Sequence, residues 1–473
     1  MKKLLVANRG EIAVRVIRAA RDLGISTVAV HSKADSEALH TRLADTSVAV
    51  GASPASKSYL VVDAILDAAK QAGADAVHPG YGFLSERAAF AAAVADAGLT
   101  FVGPSADTIE RMGDKVAARE VARAAGVPTV PGTPGGVSGV DAAAEAARHI
   151  GYPVMLKAAA GGGGRGIRVV DDEAGLREAF GQASTEAQKA FGDGTMYLER
   201  FVERARHVEV QVLGDGADAV HLFERECSLQ RRRQKVVEEA VSPAISDATR
   251  EVMTAASVNL CREVGYTSAG TVEFLVDDAT GEAFFIEMNT RIQVEHPTTE
   301  LVTGVDLVAE QLRIAAGEGL RLSQDRIHRN GHAIEYRVNA EDPAQDFLPQ
   351  PGGVGRVTLP SGPWVRCDTW LEPDGTVPPF YDSLLAKVVV WGSDRDEALA
   401  RSRRALDEFS VSGIPTTAGL LRSLVDEPWV GTADFHTGTL EQWLRTTEAP
   451  AERASAPREA PAERASAQGG EIA

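Results

Sequence analysis

At 473 residues the chain is too long for one ordinary core, and 67 acidic against 49 basic residues (formal charge −18) argue against nucleic acid as a main partner. No run of about 18 apolar residues occurs, so no membrane span is expected, and the basic start MKKLLVA is cut off by NRGE before it could serve as a secretory signal. Three scattered cysteines, Cys227, Cys261 and Cys367, lack metal-ligand spacing and fit free thiols in a reducing cytoplasm.

The chain opens with alternating patterns: strands at 3–7, 25–31, 76–77 and 100–102, helices at 12–23, 59–72 and 86–97. Such alternation predicts a parallel sheet with right-handed crossovers. The turn-rich loop HPGYGF (78–83) follows a strand, at the end where these sheets place ligands. A helix over 116–125 follows GDK (113–115) and stops at Gly126, ahead of Pro128. A Gly/Pro-rich segment (131–139) and a helix over 140–150 lead into GYPVMLKAAAGGGGRGIRVV (151–170). There an apolar strand bearing Lys157, a glycine run and a second strand at 167–170 predict a hairpin. Four successive glycines weaken any regular element but let backbone amides approach an anion, and Lys157 adds a point charge for a phosphate. The lysine precedes the glycines and a strand follows them, so this is not the GxxxxGK[ST] loop.

A helix over 173–191, a strand over 196–201 and the alternating strand HVEVQVL (207–213) come next, then a charge-dense stretch, SLQRRRQKVVEE (228–239). Its three arginines are too few in so acidic a chain to mark a nucleic-acid patch. The strands TVEFLV (271–276) and AFFIEMN (283–289) flank the turn DDATGE. A turn centred on Thr280 sets Glu273 opposite Glu287 on one face, an arrangement that calls for a cation between them, and Mg²⁺ suits such oxygens. If the chain stays extended, Glu287, Asn289, Arg291, Gln293 and Glu295 line one face as a metal and anion site. Further on, HAIEYRVN (332–339) puts Glu335, Arg337 and Asn339 in phase. Short strands over 354–390 and an amphipathic helix over 396–409 follow. From 448 the composition collapses to Ala, Pro, Glu, Arg and Ser, with PAERASA at 450–456 and 461–467, and a disordered tail is expected.

Taken together, LLVANRGEIAVRVIRA, HPGYGFLSE, MGDKVAAR, the glycine stretch, RHVEVQVLGD, QKVVEEA, FIEMNTRIQVEHPTTELVTGVDLV, LRIAAGEGL, RVNAEDP and VPPFYDSLLAK resemble the biotin carboxylase family, in that family's order, from residue 2 to about 445. The glycine loop recurs across ATP-grasp enzymes; RIQVEHPTTE with HPGYGFLSE is far more specific. The resemblance implies a mixed α/β and α+β architecture. An N-terminal parallel-sheet (pre-ATP-grasp) domain spans 1–113, and an ATP-grasp domain spans 114–320, with a mobile lid over 131–203. A C-terminal biotin carboxylase domain spans 321–447, ahead of the 448–473 tail.

At matching positions the resemblance implies that Lys115 and Lys157 bind ATP phosphates under a lid loop of Gly161, Gly162, Gly163, Gly164 and Gly166. It implies that Glu199 and Val202 hold the adenine, with His207 and Gln230 nearby. Glu273, Glu287 and Asn289 would ligate Mg²⁺ or Mn²⁺. Lys235, Arg291, Gln293 and Val294 would hold bicarbonate, Glu295 would deprotonate it, Arg337 would stabilise the biotin enolate, and Tyr81 and Asp382 would line the biotin pocket. The residue types suit the chemistry: a carboxylate takes a proton as bicarbonate attacks the γ-phosphate, and cations neutralise the transferring group. Two departures stand out: Arg233 replaces a histidine common in relatives, and no Ala-Met-Lys-Met biotin-attachment motif occurs. The chain is then either a separate subunit or lacks its carrier, so a biotin carboxyl carrier protein acting in trans and a separate carboxyltransferase are expected; the resemblance implies a homodimer, and the cysteine usage a cytoplasmic location. An ATP-grasp carboxylase with another acceptor, pyruvate- or urea-carboxylase-like, is the competing reading, and a non-catalytic nucleotide-sensing subunit a third.

Overall fold

The computed structural model describes residues 1–158, 168–191 and 194–446; the expected lid-loop glycines and the 448–473 tail lie outside these, as does the side chain of Lys115. The first unit is a five-stranded parallel sheet in the order Thr46–Gly51, Ser26–Ser32, Lys3–Val6, Ala76–His78, Thr100–Phe101. Strand order reverses between Lys3–Val6 and Ala76–His78, and such a switch point opens a crevice beyond the strands' C-terminal ends. The two loops there are tied together, since Asn8 Nδ2 donates to the carbonyls of Pro79 at 2.7 Å and Tyr81 at 2.8 Å. Gly80, at φ +63°, is required: a Cβ would lie 2.8 Å from Asn8 Nδ2. The edge strand Thr46–Gly51 and the short helix Leu39–Leu43 were not expected, because the strand buries little beyond Val50 and shows no clean alternation.

The centre of the molecule is an eight-stranded antiparallel sheet. Its order is Ala283–Asn289, Thr267–Asp277, Ala205–Asp215, Ala219–Arg231, Gln234–Ala240, His332–Asn339, Leu384–Gly392, Val365–Thr369. One continuous sheet therefore runs from the region of the 271–289 hairpin into the C-terminal part. Period-2 alternation decides what each face does. Val208, Val210, Val212, Val272 and Phe274 pack under the helix Asp247–Glu263, and Ile334, Tyr336, Val388 and Val390 under the helix Arg395–Glu408. The intervening residues, His207, Glu209, Glu273, Glu335, Arg337 and Lys387 among them, point to the other face.

A smaller sheet, Arg168–Val170, Val154–Ala158 and Met196–Arg200, carries the helices Val140–Ile150 and Glu173–Phe191 on its own core of Ala143, Ala147, Leu156, Phe180 and Leu198. Both helices match their predicted spans. The charged stretch 228–239, to which the sequence assigns no element, forms parts of two paired strands joined at Arg232 and Arg233, with Arg231 opposite Gln234. Both turn residues have positive φ (50° and 66°), where a two-residue hairpin ordinarily recruits Asn or Gly. Tertiary contacts hold the turn: Arg232 N donates to Glu441 Oε1 at 2.8 Å, and the Arg231 guanidinium sits 3.8 Å from the Phe347 ring centre. One expectation fails, the extended row from Glu287 to Glu295. The strand ends at Asn289, residues 290–295 are irregular, and Glu295 is the N-cap of the helix His296–Thr303, with Pro297 in its first turn.

Candidate active site

The polar face of the large sheet meets the switch-point loops of the parallel sheet across a cavity of about 590 Å³. In-register pairing sets a row of charge across four strands: Glu287 opposite Glu273, Glu273 opposite Glu209, Glu209 opposite Arg225. Adjacent carboxylates repel, and two cations offset them. The fully buried Arg225 donates from Nε to Glu209 Oε1 at 2.7 Å and from Nη1 to Gln211 at 2.7 Å and Thr299 at 2.8 Å. Lys235 Nζ reaches Glu209 Oε2 at 2.5 Å, Glu295 Oε1 at 2.6 Å and Glu273 Oε1 at 3.2 Å.

Glu295 is fully buried beneath this floor, and its second oxygen accepts from Arg337 Nη2 at 2.9 Å. Burial alone would push its carboxyl up; Lys235, Arg337 and Arg225 outweigh that and hold it well below the usual range. The same balance acts on Glu273, where burial is outweighed by Lys235 and by His207, whose Nε2 lies 3.1 Å from Oε2. Burial lowers Lys235, but Glu209 and Glu295 raise it well above an ordinary lysine. The charged forms of Lys235, Glu273 and Glu295 are therefore each stabilised by their neighbours.

Although the chain leaves the sheet after Asn289, the expected residues still converge, through side-chain bonds rather than strand geometry. Asn289 Nδ2 and Gln293 Nε2 donate to Glu273 Oε1 at 2.8 and 3.2 Å. Arg291 donates to Asn289 Oδ1 at 3.1 Å, Gln293 Oε1 at 2.9 Å and Glu86 Oε2 at 2.8 Å. Lys387 Nζ fixes the Val294 carbonyl at 2.9 Å and meets Glu11 Oε2 at 3.1 Å, while Tyr81 donates to the other Glu11 oxygen.

Tyr81, His207, Lys235, Glu273, Glu287, Asn289, Arg291, Gln293, Val294, Arg337 and Asp382 all border the cavity, as does Arg233. Gln230 stands behind His207, with its Nε2 3.0 Å from Nδ1. Lys157, Glu199 and Val202 form a separate group that does not line this cavity: Lys157 pairs with Glu199, which also accepts from Arg119 at 2.6 Å, and Val202 packs with Ala205 and Phe284. Glu273 and Glu287, opposed and both bordering the cavity, supply the hard oxygen donors that Mg²⁺ or Mn²⁺ takes, with the amide of Asn289 alongside.

Glu11, Glu86, Glu209, Arg225, Glu238 and Lys387 are not among the site residues the sequence singles out. For Glu209 a signal existed. His207, Glu209 and Gln211 alternate with valines, and in a strand buried on both faces such a polar row needs partners. The others depend on pairings between segments far apart in the chain.

Three family models cover most of the chain: "Biotin carboxylase, N-terminal domain" matches 1–109, "Carbamoyl-phosphate synthase L chain, ATP binding domain" 114–323, and "Biotin carboxylase C-terminal domain" 335–442. The chain is 54% identical to the biotin carboxylase of Pseudomonas aeruginosa over 427 residues, covering 90% of this chain and 94% of that one. It is 50% identical to biotin carboxylase 1 of Bacillus subtilis over 444 residues, covering 94% and 99%. Among solved structures, the dimeric biotin carboxylase domain of Hydrogenobacter thermophilus 2-oxoglutarate carboxylase, in complex with MgADP, ADP and bicarbonate, superposes with a TM-score of 0.84 at 48% identity, covering 93% of this chain and 97% of that one.

Proposed function

The chain belongs to the biotin carboxylase family, and from that premise we propose that its cleft carries out the ATP- and bicarbonate-dependent carboxylation of biotin, presented on a carrier protein in trans. The observation that carries the reading is Glu295, buried between Lys235 and Arg337 at the floor of the cavity, beside the opposed pair Glu273 and Glu287. On the same reading the chain divides at about 113 and 320, with the large sheet bridging the second and third parts.

Lys235, Arg291, Gln293 and the backbone at Val294 bind bicarbonate, and Glu295 takes its proton as its oxygen attacks the γ-phosphate of ATP. With both cations on it Glu295 is a poor base. As Lys235 turns to bicarbonate and Arg337 to biotin, each withdraws stabilisation from the carboxylate and its basicity rises, so deprotonation waits for the substrates. Glu273, Glu287 and Asn289 would hold Mg²⁺, which when bound neutralises charge on the phosphates. Lys115 and Lys157 serve the phosphates of the nucleotide, and Glu199, Val202, His207 and Gln230 its base and ribose side. The resulting carboxyphosphate breaks to CO₂ and phosphate; the phosphate takes the N1′ proton of biotin, Arg337 stabilises the oxyanion while Tyr81 and Asp382 border the ring, and N1′ then attacks CO₂ to form the N–C bond of carboxybiotin. Exclusion of water protects the intermediate.

A carboxyltransferase would consume the product. A dimer, as in the Hydrogenobacter domain, is the assembly we propose. Among the described residues no helix is long and apolar enough to cross a membrane. The Glu295→Gln variant should lose at least about 100-fold in turnover, within the range for a general base, while ATP affinity, read by fluorescence titration, stays within about twofold. Wild-type turnover in that variant would refute the assignment.

A further inference from the structure

Two buried acids of the large sheet have no role in the chemistry above. Glu238, on Gln234–Ala240, and Glu335, on His332–Asn339, are directly opposite across the paired strands, and both are fully buried. Among the described residues neither oxygen of Glu335, and neither oxygen of Glu238, has a hydrogen-bond partner. Glu238 has one charged partner in contact: the Nη2 of Arg337, the same nitrogen that donates to Glu295 Oε2 at 2.9 Å.

The charged groups facing the pair are few. Arg337 and Lys235 come from the pair's own strands, Lys387 from Leu384–Gly392, and Glu295 from the start of the helix His296–Thr303. Next along that helix, His296 is held neutral by burial and by the neighbouring cations Lys387, Arg15 and Arg366, with Nδ1 2.7 Å from the Gln293 carbonyl. Lys235 is committed to Glu209 and Glu295, and Lys387 to Glu11 at 3.1 Å and the Val294 carbonyl at 2.9 Å. One guanidinium, already shared with Glu295, is left for two carboxyls. Two such groups side by side in a dry interior cannot both ionise cheaply, and an unpartnered buried oxygen is costly. A single proton between them resolves both problems.

We propose that Glu335 keeps this proton and hydrogen-bonds through it to the ionised Glu238, and that Glu238 is the fixed anionic seat that keeps Arg337 over the biotin site once Glu295 has been neutralised. The inference rests on the functional reading above. In the first step the bicarbonate O–H bond breaks and its proton passes to Glu295, which thereby loses its charge-based hold on Arg337. Glu238 takes no proton in that step and keeps its hold. Burial pushes both carboxyls up, Glu335 the further, in keeping with Glu335 as the protonated member. Glu238 is thus a positioning residue for the second half of the reaction.

The test uses the full chain with Mg-ATP and bicarbonate. The readout is the ratio of biotin carboxylation to the ATP cleavage seen without biotin, which a general loss of folded protein would not move. Glu238→Gln should lower the ratio at least tenfold, and Glu238→Asp, which keeps the charge, should return it to within about fivefold of wild type; a fall smaller than tenfold in Glu238→Gln overturns the proposal. Independently, the infrared difference spectrum between wild type and Glu335→Gln at neutral pH should show the carbonyl band of a protonated carboxyl, and its absence also overturns the proposal, even if Glu238→Gln does not fold. A wild-type chain that cleaves ATP with bicarbonate but leaves biotin unmodified refutes the functional reading. A wild type that carboxylates biotin, with an unchanged ratio in Glu238→Gln, refutes this inference alone.

Discussion

Lys235 shows how far a single side chain can be committed. Its ammonium lies within hydrogen-bond reach of three carboxylates, Glu209, Glu273 and Glu295, two of them fully buried. Removing one partner of a buried ion cluster leaves charge without compensation, at a cost of about 3–5 kcal/mol. Lys235→Met should therefore unfold at a lower urea midpoint as well as lose turnover; an unshifted midpoint would show the carboxylates are less isolated than the distances imply. In the sequence, Lys235 is visible as a charge in a charged run, and Glu273 and Glu287 as a facing pair. That Glu209 completes the set depends on its register opposite Glu273, 64 residues further along the chain, which a local pattern does not carry.

At the level of elements, legibility follows local chemistry. The helices Val140–Ile150 and Glu173–Phe191 and the pairing of Glu273 with Glu287 read directly, because amphipathic spacing and a Gly-containing turn specify them. The hairpin through Arg232 and Arg233 does not, since its left-handed residues carry no glycine or asparagine and are held by Glu441, Asp346 and Phe347 from afar. The left-handed conformation costs an ordinary residue roughly 1–2 kcal/mol. Arg233→Asn should then raise stability by about 0.5–1 kcal/mol in equilibrium unfolding; a loss would mean that the arginine side chain is itself a strong tertiary contact. The row from Glu287 to Glu295 breaks for a related reason: alternation stops at Asn289, and Pro297, two residues past Glu295, marks a helix start.

On the scale of the whole molecule, the large sheet sorts apolar side chains to one face and charge to the other. The same burial that makes the site leaves histidines neutral in the interior. His40 and His78 are fully buried and pushed down to about 4, burial being the main cause, and His296 is lowered further. Unfolded, each takes up a proton near its ordinary value of 6.5, so below that pH the unfolded state binds more protons and stability rises with pH. For His40 and His78 this amounts to about 2 kcal/mol each between pH 6.5 and 5. His207, raised by Glu273 against burial, acts in the opposite direction. Urea midpoints should fall between pH 7 and pH 5, and a flat profile would contradict the burial of these rings in neutral form.

The most direct measurement follows labelled bicarbonate. Incubated with Mg-ATP and either free biotin or a biotinylated carrier, the chain should place the label on biotin, with ATP cleavage stimulated by biotin and dependent on bicarbonate. ATP cleavage that biotin fails to stimulate, with no label recovered on it, would contradict the account.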